Sequence, residues 1–247
     1  ITKKIIYINK IFIFIPKKII FNSRISMQQH IKIGFNKKNN IFIPNGFEIN
    51  EYNISKSSNF FNKKIKFIKK NRKNIIISHI ARLHDMKNHR LIFDTAKIIS
   101  KKNDRIFFIF CGHGINFKNR NFRKKFNLNN NYCKNMIFLD EVKDVNQILS
   151  QSDIFVLSSS WGEGFPNIIA EAMINKCNVI STDVGDIKDI INNFGYTVAI
   201  NDIKKLTFIL EKLISSETIK KNFSAKRHIA NNYNITKIAN KFDKVFR

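Results

Sequence analysis

From Asn74 onward, short apolar runs of strand length alternate with stretches of helical character. NIIISHIA (74–81) reads as a buried strand, Lys87 to Ser100 as a helix and RIFFIFCG (105–112) as a strand. Phe117 to Phe126 reads as a helix, MIFLD (136–140) as a strand and 144–151 as a helix. Strand 154–157, helix 166–175 and strand 178–181 follow. About six such units predict an α/β fold, a parallel sheet with helices on both faces. Right-handed crossovers then bring every strand-to-helix loop to one edge of the sheet, where open α/β sheets bind ligands. The chain has only 8 glycines, yet Gly112, Gly114, Gly162, Gly164 and Gly185 all follow predicted strands at that edge. Glycine there permits positive φ and close backbone approach to a nucleotide-sized ligand, although tight turns favour it too. The segment CGHG lacks the third glycine of a dinucleotide fingerprint, and no GxGxxG occurs, which argues against a Rossmann oxidoreductase.

The most informative stretch is DIFVLSSSWGEGFPNIIAEAM, Asp153 to Met173. An apolar strand runs into three serines, two glycines bracketing Glu163, and Pro166. With Pro166 as the first helical residue, the free amides of Asn167 and Ile168 sit at the positive end of a helix, a place for a phosphate or a sugar hydroxyl. Glu163 in the loop and Glu171 inside the helix are expected to face the same mouth. Eighty residues earlier, approximately, IARLHDMKNH supplies cations: Arg82 ends the first strand and Lys87 begins the first helix, so both can reach a pyrophosphate at the sheet edge. His79, His84 and His89 read as solvated or capping residues, and His113 as a further neighbour of the ligand.

The segment GEGFPNIIAEAM, with glutamates at 163 and 171, and the Arg82-Leu83 … Lys87-Asn88 pattern upstream resemble the retaining glycosyltransferases of family 4, which have the two-lobed GT-B fold. FLDEVKD (138–144), TDVGDIKDI (182–190) and IPNG (43–46) followed by Glu48 extend the similarity. Ala81 and Asp140 stand where that family often has glycine, and Asp189 where glutamate is common. The resemblance implies a Rossmann-like lobe of a GT-B fold. It implies that Glu163 holds hydroxyls of the transferred sugar, Glu171 the ribose, and Arg82 and Lys87 the diphosphate. Gly164, Phe165, Pro166, Asn167, Gly112 and Leu139 complete the implied donor-binding set. It further implies no metal and no separate cofactor, a UDP- or GDP-linked sugar as donor substrate, and a glycan or lipid-linked acceptor in cell-surface polysaccharide or lipopolysaccharide synthesis. The implied division is a remnant of an acceptor lobe over 1–48, a polar linker over 49–73, the nucleotide-sugar lobe over 74–230 and a crossover helix over 231–247. The chain begins without Met, and the rest of an acceptor lobe is expected upstream.

Forty-four Lys and Arg against 18 Asp and Glu give a formal charge of +26. Such a field would ordinarily favour nucleic acid or an anionic surface. The lysines are spread along the chain instead of forming a stripe, so a solvated basic surface is expected, with no nucleic acid bound and at most peripheral contact with an acidic membrane from the cytoplasmic side. A nonenzymatic basic α/β module binding nucleic acid or acidic polymer is the competing reading; it would have no need of Glu163 or Glu171. Cys111, Cys133 and Cys177 are far apart and unpaired in pattern, suggesting neither zinc nor a disulfide framework. No uncharged apolar run approaches the roughly 18 to 20 residues that span a bilayer.

Overall fold

The computed structural model describes residues 6, 8, 11–12, 14–35, 37–49, 65, 67–71, 73–128, 134–215 and 219–247. Most of the expected linker, and Cys133, lie outside them. A small sheet comes first: β1 (Ile19–Phe21) and β2 (Asn40–Phe42) pair in parallel through Ile20 and Ile41. Parallel strands need a crossover, and α1 (Arg24–Lys32) supplies it. Ser23 caps this helix, its Oγ accepting from the Ser26 amide at 3.1 Å. The Asn45-Gly46 pair of IPNG does not make a tight hairpin turn: β2 ends at Phe42, and Gly46 is not among the residues with positive φ. Gly46 is needed for another reason, since a Cβ there would sit 2.9 Å from Ile235 Cδ1 of the C-terminal helix.

The larger sheet has six parallel strands: β3 (Ile75–Ile80), β4 (Ile106–Cys111), β5 (Met136–Leu139), β6 (Ile154–Leu157), β7 (Asn178–Thr182) and β8 (Gly195–Val198), in the spatial order 5-4-3-6-7-8. In chain order within this sheet that is third, second, first, fourth, fifth, sixth, so the winding reverses between β3 and β6, and loops leaving these two strands flank a crevice. All six residues of β3 are buried. Ile76 and Ile80 enter one hydrophobic cluster with Phe155, Ile169 and Met173. Ile75 and Ile77 enter a second, with Leu91, Phe93, Phe108 and Leu210. Side chains alternate across a strand, so two clusters mean a sheet covered on both faces, as the continuous apolar runs require.

The connections are α2 (His89–Lys102), α3 (Arg120–Lys125), α4 (Asn146–Leu149), α5 (Asn167–Ile174) and α6 (Ile187–Ile191), followed by α7 (Ile203–Ile214), α8 (Phe223–Asn232) and α9 (Ile235–Phe246). Strand β8, GYTV, went unnoticed in the sequence because only Val198 of it is buried; an edge strand has no continuous apolar run. Helix α9 begins where Phe47 makes a bridge to Asn234: the Phe47 amide donates to Tyr233 O at 2.8 Å and the Ile235 amide to Phe47 O at 2.9 Å. The small sheet is therefore tied to the large one by the chain's last helix. A second tie is electrostatic. The buried carboxylate of Asp186, in the loop after β7, accepts from the Arg24 and Ile25 amides at 2.6 and 3.0 Å, capping α1 from across the interface. No helix among the described residues is long and apolar enough to cross a membrane.

Candidate functional site

The loop leaving β3 carries Arg82 and Lys87. Lys87 does not begin a helix, as expected from sequence; it closes a 3-10 turn, Asp85–Lys87, before α2 starts at His89. The turn is opened by His84, whose Nδ1 accepts from the Met86 amide at 3.1 Å. It is ended by Asn88 at φ 44°, a left-handed conformation that asparagine tolerates better than most residues. Asn88 Nδ2 also donates to Asn201 Oδ1 at 2.8 Å. The break in the helix sends the Lys87 side chain across the crevice to the loop after β6. There Nζ donates to Glu163 Oε1 at 2.5 Å, and Ser159 Oγ donates to the same oxygen at 2.5 Å. The two charged side chains are 16% and 8% exposed, so they form a half-sheltered ion pair at the point where the sheet reverses its winding.

The glycine loop is held in place from β7. Gly185 has φ +64°, and a Cβ there would run into the carbonyl oxygen of Glu163. Beside it, the Asp186 amide donates to Gly164 O at 3.0 Å, and Thr182 Oγ1 donates to Ser159 O. Gly164 itself faces Ser23, the cap of α1. Pro166 is corrected from first helical residue to N-cap: its ψ of 103° is extended, and α5 starts at Asn167. Asn167 Oδ1 accepts from Asn45 Nδ2 at 2.6 Å. Phe165 turns its ring inward, 7% exposed, against Phe47 and Tyr233 at centroid distances of 6.0 and 5.4 Å. The ring therefore packs the core between the two sheets.

Glu171 lies half-buried on α5, and its carboxylate makes no hydrogen bond among the described residues. Burial pushes its carboxyl above the usual carboxylate range, and the nearby Asp144 carboxylate adds to the effect. At the neighbouring strand ends, Gly112 has φ +145°, and a Cβ there would run into the Ala81 carbonyl. Leu139, half-buried, accepts from the Gly112 amide at 3.3 Å, and Asp140 Oδ1 accepts from the Gly114 amide at 3.2 Å. Asp140 thus ties the turn after β4 to the end of β5. Arg82 is exposed, and its guanidinium has no partner among the described residues.

The histidines divide differently from the sequence expectation. His84 caps, but His79 and His89 are neither solvated nor capping: they are 1% and 2% exposed. Their rings lie 4.9 Å apart behind the Arg82–Lys87 turn. Burial holds His79 well below the usual imidazole value and His89 at about 4, so both are neutral. For His79 the signal was present in NIIISHIA, where a histidine among isoleucines in a buried strand has nowhere to go but the core. His113 is 82% exposed, with Nδ1 3.7 Å from Glu141. Burial also pushes the Cys111 and Cys177 thiols to about 12, leaving both inert as nucleophiles.

The structure therefore brings Lys87, Glu163 and Ser159 into direct contact, sets Arg82 at the end of the adjoining strand, and joins Gly112 to Leu139. A cavity of about 600 Å³ lies elsewhere, between the small sheet and α6, α8 and α9. Of the candidate residues, only Phe165 lines it, together with Arg24, Phe42, Lys188, His228 and Tyr233. Sequence reasoning missed Ser158, Ser159, Asp140 and Asp186; the three consecutive serines directly before the glycine loop were the available sign.

A doubly wound six-stranded sheet tied to a second, smaller parallel sheet by the C-terminal helix matches part of the GT-B fold. A solved structure from Anabaena, HepE in complex with UDP and glucose, superposes with a TM-score of 0.75 at 19% identity, covering 93% of this chain and 62% of that one. A glycosyltransferase from Rickettsia africae superposes with a TM-score of 0.77 at 18% identity, covering 93% and 62%. The chain belongs to the family described as Glycosyl transferases group 1, whose profile matches residues 60–245. It is 26% identical over 212 residues to a UDP-Gal:alpha-D-GlcNAc-diphosphoundecaprenol alpha-1,3-galactosyltransferase of Escherichia coli, covering 83% of this chain and 53% of that protein. It is 29% identical over 220 residues to the capsular polysaccharide biosynthesis glycosyltransferase CapH of Staphylococcus aureus, covering 87% and 54%. The chain thus spans about half the length of these curated relatives.

Proposed function

We propose that this chain carries the donor-binding lobe, residues 74–230, of a retaining glycosyltransferase similar to family 4. Residues 1–48 would be part of an acceptor lobe, 49–73 a linker, and 231–247 a crossover helix. The observation that carries this reading is the Lys87–Glu163 pair at the sheet's switch point, with the exposed Arg82 beside it. A cation at the end of β3 and amides at the start of α5 suit a nucleoside diphosphate, whose negative charge grows as the sugar departs. In this arrangement Arg82 and Lys87 neutralise the leaving diphosphate, Glu171 accepts from the ribose, and Glu163 exchanges part of its contact with Lys87 for hydroxyls of the sugar. The donor would be a UDP- or GDP-linked sugar, used without a metal. The acceptor would be a glycan or lipid-linked glycan on the cytoplasmic face of a membrane, approached peripherally by the cationic surface. The named activities of the E. coli and S. aureus relatives support this class of acceptor. Calorimetric titration of the chain with UDP, GDP and single-stranded DNA at moderate salt tests the reading. Saturable binding of one of the nucleotides with no strong binding of DNA is expected; the reverse order would favour the basic binding module.

A further inference from the structure

Behind the two cations lies a chain of buried polar groups with a determined proton arrangement. His89 Nε2 is 2.9 Å from the carbonyl oxygen of Arg82. A carbonyl only accepts, so Nε2 carries the proton. Ser158 Oγ donates to the carbonyl oxygen of Lys87 at 2.8 Å, and His79 Nε2 lies 3.1 Å from that same Oγ. A hydroxyl has one proton; with it directed at Lys87, Ser158 must accept from His79, and this Nε2 is protonated as well. The Nδ1 atoms of both histidines are buried without a hydrogen-bond partner. An N–H at either Nδ1 would therefore be buried and unsatisfied, which disfavours the other tautomer and the charged ring together.

We propose that His79, Ser158 and His89 are positioning residues for the diphosphate-binding turn: His89 pins the carbonyl of Arg82, and His79 acting through Ser158 pins the carbonyl of Lys87. The two residues so held are the ones that carry the cations. Between them the chain makes the Asp85–Lys87 3-10 turn, and a left-handed step at Asn88 follows directly. Pinned at both ends, it presents Arg82 and Lys87 from a fixed backbone, so less ordering is required when a nucleoside diphosphate binds. The adjoining serines share the work: Ser159 holds the Glu163 carboxylate, and the Ser160 amide donates to Met86 O at 2.8 Å. The ligand side of this assignment rests on the proposed donor site; the pinning itself is a property of the free protein.

The test uses Ser158→Ala, His89→Leu and His89→Gln, the last of which keeps an N–H near the position of Nε2, each first checked by a thermal melt. Hydrogen exchange is measured on the nucleotide-free chain at the Leu83, Lys87 and Asn88 amides, which are bonded to His113, His84 and Asp85. UDP and GDP affinities are measured by calorimetry. Ser158→Ala and His89→Leu are expected to speed exchange at these amides but not in β4, and each to weaken nucleotide binding about tenfold, the loss of one net hydrogen bond. His89→Gln should recover most of both losses. Nitrogen chemical shifts should show both rings as Nε2–H tautomers. A wild-type chain that binds nucleotide while Ser158→Ala matches it in affinity and exchange refutes the positioning role alone. A wild-type chain that binds neither UDP nor GDP refutes the donor-site reading and this role with it.

Discussion

Replacing Glu163 by Gln keeps the size of the side chain and an oxygen for Ser159 and Lys87, but removes the charge opposite Lys87 Nζ. Breaking a fully buried ion pair costs roughly 3 to 5 kcal/mol, and an exposed one roughly 0 to 1. This pair lies between those limits, with side chains 16% and 8% exposed, and the amide oxygen of Gln preserves the hydrogen bonds. We therefore expect Glu163→Gln to destabilise the nucleotide-free protein by about 1 to 2 kcal/mol, or about 2 to 8 °C for a chain of this size. Nucleotide should then reverse the order of the two proteins' responses. In the wild type a diphosphate must compete with Glu163 for Lys87, whereas in the variant it supplies the missing counter-charge. Thermal melts with and without saturating UDP or GDP should show a larger nucleotide-induced rise for Glu163→Gln than for the wild type. Binding of the intact nucleotide sugar should gain less, because the contact to the sugar is weakened. Equal melting points without nucleotide and equal increments with it would refute the energetic coupling of Lys87 and Glu163. Loss of free nucleotide binding in the variant would refute the division of roles between the two glutamates.

Arg82→Ala and Lys87→Ala are each expected to weaken UDP or GDP by about 1.5 to 3 kcal/mol, the worth of a charge-assisted contact, measured by titration calorimetry. Glu171→Gln should weaken free nucleotide and nucleotide sugar by similar factors and yet raise the melting temperature of the empty protein. Burial and Asp144 raise the folded-state pKa of Glu171, so its stabilising contribution is complete at low pH and lost as pH rises through that value; Gln escapes the loss. His89 acts with the opposite sign in pH. Its folded-state value of about 4 lies below the ordinary 6.5, so stability is full above pH 6.5 and declines towards pH 4, by up to about 3 kcal/mol. Chemical denaturation across that range should show a shallower decline in His89→Gln.

The fold class was open to reading because it rests on local periodicity. Continuous apolar runs in NIIISHI and RIFFIFC demand cover on both faces whatever lies elsewhere, and helical stretches between them supply it. The glycine loop with Glu163 was legible for the same reason: strand, glycines and proline within one stretch dictate a turn at the sheet edge. What the chain could not disclose locally was everything set by residues far apart in it. The order 5-4-3-6-7-8 depends on which strands pair, and strand β8 shows its place only beside β7. Lys87 looked like the start of a helix; the left-handed Asn88, bonded to Asn201 more than a hundred residues on, detaches it and turns it towards Glu163. Phe165 stands in the glycine loop, yet its ring packs inward between Phe47 and Tyr233, residues more than sixty positions away on either side. His79 and His89 looked polar and became core, because the carbonyl of Arg82 and the hydroxyl of Ser158 satisfy one nitrogen each. Propensity and period act over a few residues and determine elements; a buried charge or hydrogen bond needs a partner, and only the tertiary structure decides which distant residue that partner is.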